Sequence, residues 1–421
     1  MKLPRQPGMI FILITLFIDI VGLGIVIPIL PELIKSFVGG SEMLAARYYG
    51  IIASVYALMQ FFFAPLLGAL SDRFGRRPVL LVSLLGLGLD YLILSFAPNL
   101  AWLVVGRVVA GIAGASITTA NAYIADISTP ETRAQNFGLV GVAFGLGFIF
   151  GPALGGLLGA VSLHLPFMVS AGLALLNCLY GYFVLPESLP PERRSPFRWA
   201  KANPIGSVSG LGAYPLVAGL AVAFIFISLA QRGLENVWVL YTGYRFGWGE
   251  RANGLTLGLV GVMAVLVQGF LIRPAIRWLG ERRAIIYGLA VSVLTFFCYG
   301  LASQGWMMIA VIVFGALSGI AGPAIQGLVA GSAPPEDQGK IQGALTSLIS
   351  LSSIFAPLIF TTGLFSYFTS DAAPFVLPGA PFFLGGLLFL AGLVVTVQLF
   401  RRLPAVDLPP MPEAKLDEPG L

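Results

Sequence analysis

The feature that most narrows what this chain can fold into is a succession of apolar windows, each about 20 residues long, separated by short polar breaks. A helix of that length crosses the ~30 Å hydrocarbon layer of a bilayer. The windows lie near 9–31, 48–70, 79–97, 100–124, 136–160 and 165–185, and again near 215–240, 253–275, 284–303, 305–330, 341–368 and 379–400. A membrane barrel needs alternating strands of about 10 residues between turns, and the sequence has no such pattern. With 57% hydrophobic and 10% charged residues among 421, the chain has more apolar surface than a soluble core can hide. The expected fold is an all-α polytopic membrane protein of about twelve transmembrane helices, with the lipid bilayer as its solvent. Lys2 and Arg5 precede the first apolar run, which contains Asp19. That run is too long for a signal-peptide core and is read as helix 1.

Charge placement gives an orientation. Of the 24 Lys and Arg residues, 18 fall in one alternating set of loops and four, Lys35, Arg47, Arg245 and Arg251, in the other. Positively charged loops resist translocation, so both termini are expected on the cytoplasmic side. The net charge of +5 then reflects loop placement, and no long basic run with interleaved aromatics points to nucleic acid. Cys178 and Cys298 fall in helices 6 and 9, which supports neither a disulfide framework nor a metal cluster. The glycine-rich stretch Gly141, Gly145 and Gly147 lacks the Lys-Ser/Thr and the strand context of a phosphate loop. No nucleophile, base and orienter combine into an enzyme site, and no cofactor is expected.

Internal repetition divides the chain. The loop Gly68 to Arg77 after helix 2 is echoed by Arg273 to Arg283 after helix 8, with Gly75 and Gly280 separated by 205 residues. Pro130-Glu131 before helix 5 and Pro335-Glu336 before helix 11 have the same offset, and Gly-Ile-Ala-Gly recurs at 111–114 and 319–322. Equal offsets at equivalent helix positions predict two six-helix bundles in parallel orientation. The expected division is an N-terminal bundle over 1–185, a proline-rich cytoplasmic linker over 186–214, a C-terminal bundle over 215–403 and a flexible tail over 404–421.

The motifs carry the chemistry. In Gly68-x-x-x-Asp72-Arg73-x-Gly75-Arg76-Arg77, Gly75 permits a tight turn, and Asp72 is placed to pair with an arginine and to cap a neighbouring helix end. Such a charge cluster can be made or broken between two conformations. Asp126, Glu131 and Arg133 are grouped with it. Helix 5 carries Gly147-x-x-x-Gly151-Pro152-x-x-Gly155-Gly156, in which small residues let backbones approach and Pro152 removes a helical hydrogen bond. Asp19, Asp90 and Arg107 lie within spans, where charges are costly and face a cavity or each other. In helix 7 the i, i+3 spacing puts Arg232 and Glu235 on one face, either at a cavity or as a structural pair. Gln60, Asn121, Gln268 and Gln326 are further polar candidates for a central path, each open to the alternative of helix-to-helix contact.

Together these residues resemble the major facilitator superfamily over nearly the whole chain. The loop after helix 2 is similar to that superfamily's signature, and the helix 5 motif to the signature of its antiporters. Asp19-x-x-Gly22-x-Gly24-x-x-x-Pro28 and the Arg107, Gly111 pair resemble motifs of the twelve-helix drug:proton antiporters. The segment Val237 to Trp248, with Asp90 and Asp126, resembles the tetracycline-efflux subfamily. That subfamily's helix 8 histidine and helix 9 aspartate are represented by Ala264 and Ser292, so the resemblance does not name the substrate. It implies a secondary active exporter of small lipophilic compounds in a bacterial inner membrane; no signature of oligomerisation is present, and a monomer is the expected working unit. Protons would be carried by Asp19, with Arg107 tuning it, and by Asp90 or Glu235 as second choices. A passive uniporter, a non-pumping receptor of the same fold and a metabolite symporter are the alternatives.

Overall fold

The computed structural model describes residues 7–114, 116–197, 215–322, 324–325, 328 and 335–402. Among these, eleven helices are long and apolar enough to cross a membrane and Gly305–Ile320 is a shorter apolar helix. In chain order, α1 runs Pro7–Val26 and resumes as Leu30–Phe37. It is interrupted where Pro28 cannot donate a backbone hydrogen bond. α2 is Glu42–Phe74, α3 is Arg76–Ser95, and α4 is in two pieces, α4a Leu100–Ala113 and α4b Ser116–Ile127. α5 is Pro130–Gly159 and α6 is Leu165–Val184. α7 is Pro215–Phe246; α8 is Glu250–Leu266, extended by a π-helical stretch Val267–Leu271. α9 is Ile272–Leu301, and α10 is Gly305–Gly315 with a 3₁₀ turn Ala316–Ile320. α11 is Pro335–Ala356 followed by a π-helix Pro357–Phe365, and α12 is Ala380–Arg402.

The 205-residue repeat is written into the backbone. Gly75, between α2 and α3, has φ 108°, and Gly280, within α9, has φ 73°. Both lie in the region that glycine alone enters at little cost. Pro357, where α11 turns from α to π, stands 205 residues after Pro152 of α5. Residues up to Leu279 thus prolong α8, as residues up to Phe74 prolong α2. The expected tail and most of the expected linker, from 198 onward, lie outside the described residues.

Large apolar side chains such as Leu176, Phe183 and Leu301 are more than 60% exposed, which suits a chain whose solvent is hydrocarbon. Small residues close the inside. α1 packs on α5 with Gly24 against Gly151, and a Cβ built on Gly24 lies 3.0 Å from the Pro152 ring.

Across the seam between the first six helices and the last six, α5 packs on α8 and α2 on α11. The contacts concentrate at one end. There Gly156 meets Gly254, Ser54 Oγ donates to the Ile354 carbonyl at 2.7 Å, and Thr362 Oγ1 donates to the Arg47 carbonyl at 3.0 Å. At the opposite end Gly68, Gly138, Gly141 and Gly269 face open space. Among the described residues these contacts join the halves at the end bearing the Gly39–Ser41 turn, and the end bearing Asp72 to Arg77, where a Cβ on Gly138 or Gly269 meets nothing within 4 Å, is called the parted end.

Candidate functional site

Three charged groups are buried inside the spans of the first half: Asp19 at 8%, Asp90 at 0% and Arg107 at 6% exposure. Arg107, expected beside Asp19, is ion-paired with Asp90: one of its Nη atoms donates to Asp90 Oδ2. The other carboxylate oxygen, Oδ1, has no hydrogen-bond partner among the described residues. It lies 2.7 Å from where a Cβ on Gly106 would be. Gly106 is thus the space that lets Asp90 reach the arginine. The Arg107 guanidinium also stands over the Tyr56 ring, 5.6 Å from its centroid, a cation–π arrangement.

Asp19 takes a different partner. Its Oδ2 accepts from Ser116 Oγ at 2.6 Å, both groups being buried. Ser116 begins α4b just beyond the point where α4 is broken at Gly114 (ψ 32°). The break frees the Gly114 carbonyl, which accepts from Gln60 Nε2 at 3.3 Å. Gln60 also donates to the Tyr56 hydroxyl at 3.3 Å. Tyr56 and Tyr91 lie within electrostatic reach of both carboxylates and of Arg107. Of the polar residues expected here, Gln60 joins this cluster, while Asn121 on α4b keeps a buried Oδ1 with no partner among the described residues.

At the parted end the expected charge cluster forms around Arg76. Its Nη1 donates to Asp72 Oδ1 at 2.5 Å and to Ser71 Oγ at 3.2 Å, and its Nε donates to Asp126 Oδ2 at 2.9 Å. The helix cap comes from elsewhere. Asp72 was expected to supply it, yet the first backbone N–H groups of α3, those of Arg76 and Arg77, donate to Glu187 at 2.9 and 3.2 Å. Asp72 is held by the Arg76 side chain and offers its backbone carbonyl to Ser195 N–H at 3.1 Å. Ser188 Oγ donates to Asp126 Oδ2 at 3.2 Å. The start of the expected linker is therefore fastened across the loop after α2. The sequence signal was available: an acidic residue directly after α6, facing a glycine turn with free N–H groups. Arg73 is exposed and stands over Phe74, and a Cβ built on Gly68 would meet nothing within 4 Å. The side chains of Glu131 and Arg133 lie outside the described residues.

In the second half Arg232 and Glu235 do pair, Nη1 to Oε2 at 2.6 Å, with side chains 40% and 45% exposed. Gly233 between them packs against Phe360 of α11. Tyr49 of α2 lies within electrostatic reach of both Arg107 and Glu235, so the helix 7 pair faces the seam. Ser292 is buried and bonds within its own helix, Oγ to the Gly288 carbonyl at 3.0 Å. Gln268 is exposed in the π-helical stretch of α8, and Gln326 lies outside the described residues. His164 donates from Nδ1 to the Ser95 carbonyl at 3.0 Å, a loop contact remote from these groups. The described residues hold no group of three or more metal-binding side chains.

A polytopic helical membrane protein built on a sequence repeat, with ion-paired and hydrogen-bonded charges inside its spans, is the class these features define. The chain belongs to the Major Facilitator Superfamily, whose family model matches residues 12–357 and 277–415. It is 44% identical to the class C tetracycline resistance protein of Escherichia coli, over 84% of this chain and 89% of that protein. It is 36% identical to the class D tetracycline resistance protein of Salmonella ordonez, over 95% and 98% of the two chains. Among solved structures it is similar to the human organic anion transporter MFSD10, with a TM-score of 0.69 at 24% identity over 94% of this chain and all of that one. A D-xylose-proton symporter gives 0.71 at 19% identity over 94% and 98%. These two likenesses concern the fold alone.

Proposed function

We propose that the protein is a proton-coupled exporter of small lipophilic organic compounds, tetracycline-like in character, working by alternating access between its two six-helix bundles. The observation that carries this reading is the buried first-half cluster, Asp19 with Ser116 and Asp90 with Arg107, in a chain 44% identical to a tetracycline resistance protein. A carboxylate withdrawn from water favours its protonated form unless a partner holds its charge. Asp90 is held by Arg107. Asp19 is bonded to a neutral hydroxyl rather than to a cation, and on that geometry it is taken as the proton carrier.

In this cycle the structure corresponds to the state parted at the Asp72 end, from which substrate enters. Arg232 and Glu235, half exposed and facing the seam, with Gln268, contribute the polar contacts of a site whose other surface is apolar. Asp72, Arg73, Arg76, Arg77 and Asp126 form a lock that differs between the two states, and Gly147 to Gly156 provide the surface on which α5 moves. The reading places the protein in a bacterial inner membrane with both termini cytoplasmic, active as a single chain.

The test is accumulation of tetracycline and a panel of lipophilic drugs in a pump-deficient bacterial strain expressing the chain, with and without an uncoupler. Lowered accumulation that the uncoupler abolishes is the expected result. Uphill export that persists without a proton gradient sinks the coupling. No change for any compound, with the protein correctly inserted, sinks the exporter reading.

A further inference from the structure

The two pieces of α4 assign a role to Ser116 that the exporter reading leaves open. α4b is a continuous helix of 12 residues. Its first described residue, Ser116, donates to Asp19 at 2.6 Å, and near its last turn Asp126 accepts from Arg76 at 2.9 Å and from Ser188 at 3.2 Å. About 15 Å of helix separates the two ends. α4b is broken from α4a at Gly114, whose freed carbonyl is held by Gln60 of another helix. The interruption at Gly114 is the joint about which α4b would shift. One short rod joins the buried carboxylate of α1 to the charge cluster at the parted end.

We propose that Ser116 is a positioning residue for coupling, through which α4b transmits the charge state of Asp19 to the Asp126–Arg76 contact. This rests on the reading of Asp19 as the proton carrier. A hydroxyl bonded to a charged carboxylate makes a bond roughly twice as strong as a neutral one. Protonating Asp19 loosens the grip on the start of α4b, and the rod carries the displacement to Asp126. Discrete elements with two arrangements are what physical coupling between sites requires.

The surroundings leave Asp19 as the group best placed to drive this. Asp90 and Arg107, on α3 and α4a, neutralise each other. Tyr56 and Tyr91 are the other titratable side chains within reach. The neighbouring α6 carries no charged residue, and α5 carries none from 136 to 159. Tyr180 of α6 meets Phe11 edge to face, and Cys178 donates to the Leu81 carbonyl. Around Asp126 stand Arg76, Asp72 and Glu187, with Tyr123 of α4b within reach of Glu187.

The test uses the full chain in proteoliposomes, with Cys178→Ser and Cys298→Ser as background. Spin labels at Phe74→Cys and Leu279→Cys, exposed positions related by the 205-residue repeat, report the separation of the halves at the parted end. The expected result is a distance distribution that shifts between acidic and alkaline pH, a shift lost in Ser116→Ala and retained in Ser116→Thr, with drug binding unchanged. Asp126→Asn, which leaves the Ser116 contact in place, is expected to lose the shift as well. A shift intact in Ser116→Ala but lost in Asp19→Asn overturns this proposal alone. A shift that survives Asp19→Asn overturns the choice of Asp19 as proton carrier. Unchanged distributions in the unsubstituted chain overturn the transmission role, while uncoupler-sensitive export continues to support the exporter.

Discussion

Gly24 of α1 and Gly151 of α5 meet backbone to backbone: a Cβ on Gly24 lies 2.9 Å from the Cα of Gly151, and one on Gly151 lies 2.7 Å from the Cα of Gly24. The first-helix motif and the helix 5 motif are the two sides of one contact. Gly151→Leu is expected to push α5 off α1, with an overpacking cost of about 1–3 kcal/mol or more. The check is thermal unfolding in detergent, with Gly138→Leu, at an open position, as the control that stays near the unsubstituted midpoint.

Gly106 makes a sharper case. Because Asp90 Oδ1 occupies the place of its missing methyl at 2.7 Å, Gly106→Ala is expected to displace the carboxylate from Arg107. Export should fall at least as far as in a conservative Asp90→Asn variant, although the substitution adds one carbon and removes no charge. Drug export by everted vesicles measures it. Export at the unsubstituted rate would mean that Asp90 has room to move.

Opening the Asp90–Arg107 pair from one side leaves an uncompensated charge in a buried site, a cost of about 3–5 kcal/mol. Asp90→Asn and Arg107→Gln are each expected to be strongly destabilised. The double variant should recover much of the loss in stability and none of the transport. Unfolding midpoints for the three proteins decide this, and simple additivity would mean that the two groups act independently.

How far the sequence spoke can be judged from such residues. The spans, the repeat and the Asp72–Arg76 cluster were readable because apolar length and a fixed offset survive without knowledge of packing. Charges at mid-span were readable as costly, hence as partnered. Which charge partners which was not: Arg107 is 17 positions from Asp90 and 88 from Asp19, and only the fold chooses between them. The break at Gly114 was also hidden. Gly-Ile-Ala-Gly reads as ordinary helix packing until Gln60 is seen at the freed carbonyl. Glu187 is not legible from the signature loop, because the helix start that follows Gly75 is completed by a residue about 110 positions later.

Glu187 itself leads to a measurable claim. Its two oxygens take the first N–H groups of α3, a charge-assisted cap worth about 0.5–2 kcal/mol. Glu187→Gln is expected to leave insertion intact and to free the segment around Ser188 and Ser195. Faster limited proteolysis between 186 and 197 would report it. Cleavage at the unsubstituted rate would show that Asp126 and Asp72 hold the segment without the cap.

At the closed seam, a Cβ on Gly254 would meet the Cα of Gly156 at 2.8 Å. Gly254→Val is expected to prevent closure at that end and hold the halves parted there. Labelling of a cysteine introduced at Ser54 from the Gly39 side should then rise several-fold while export is lost. Unchanged labelling would place the pivot of the movement elsewhere.

The same pair of glycines bears on turnover. Elsewhere in a folded chain, bringing long side chains together freezes rotamers, at up to about 2 kcal/mol for the longest. Gly156 and Gly254 have no rotamers to lose. Each time the halves meet at these two residues, the surfaces find one another without a conformational search, and each time they part nothing has to be disentangled. A joint of this kind contributes no side-chain entropy barrier of its own in either direction.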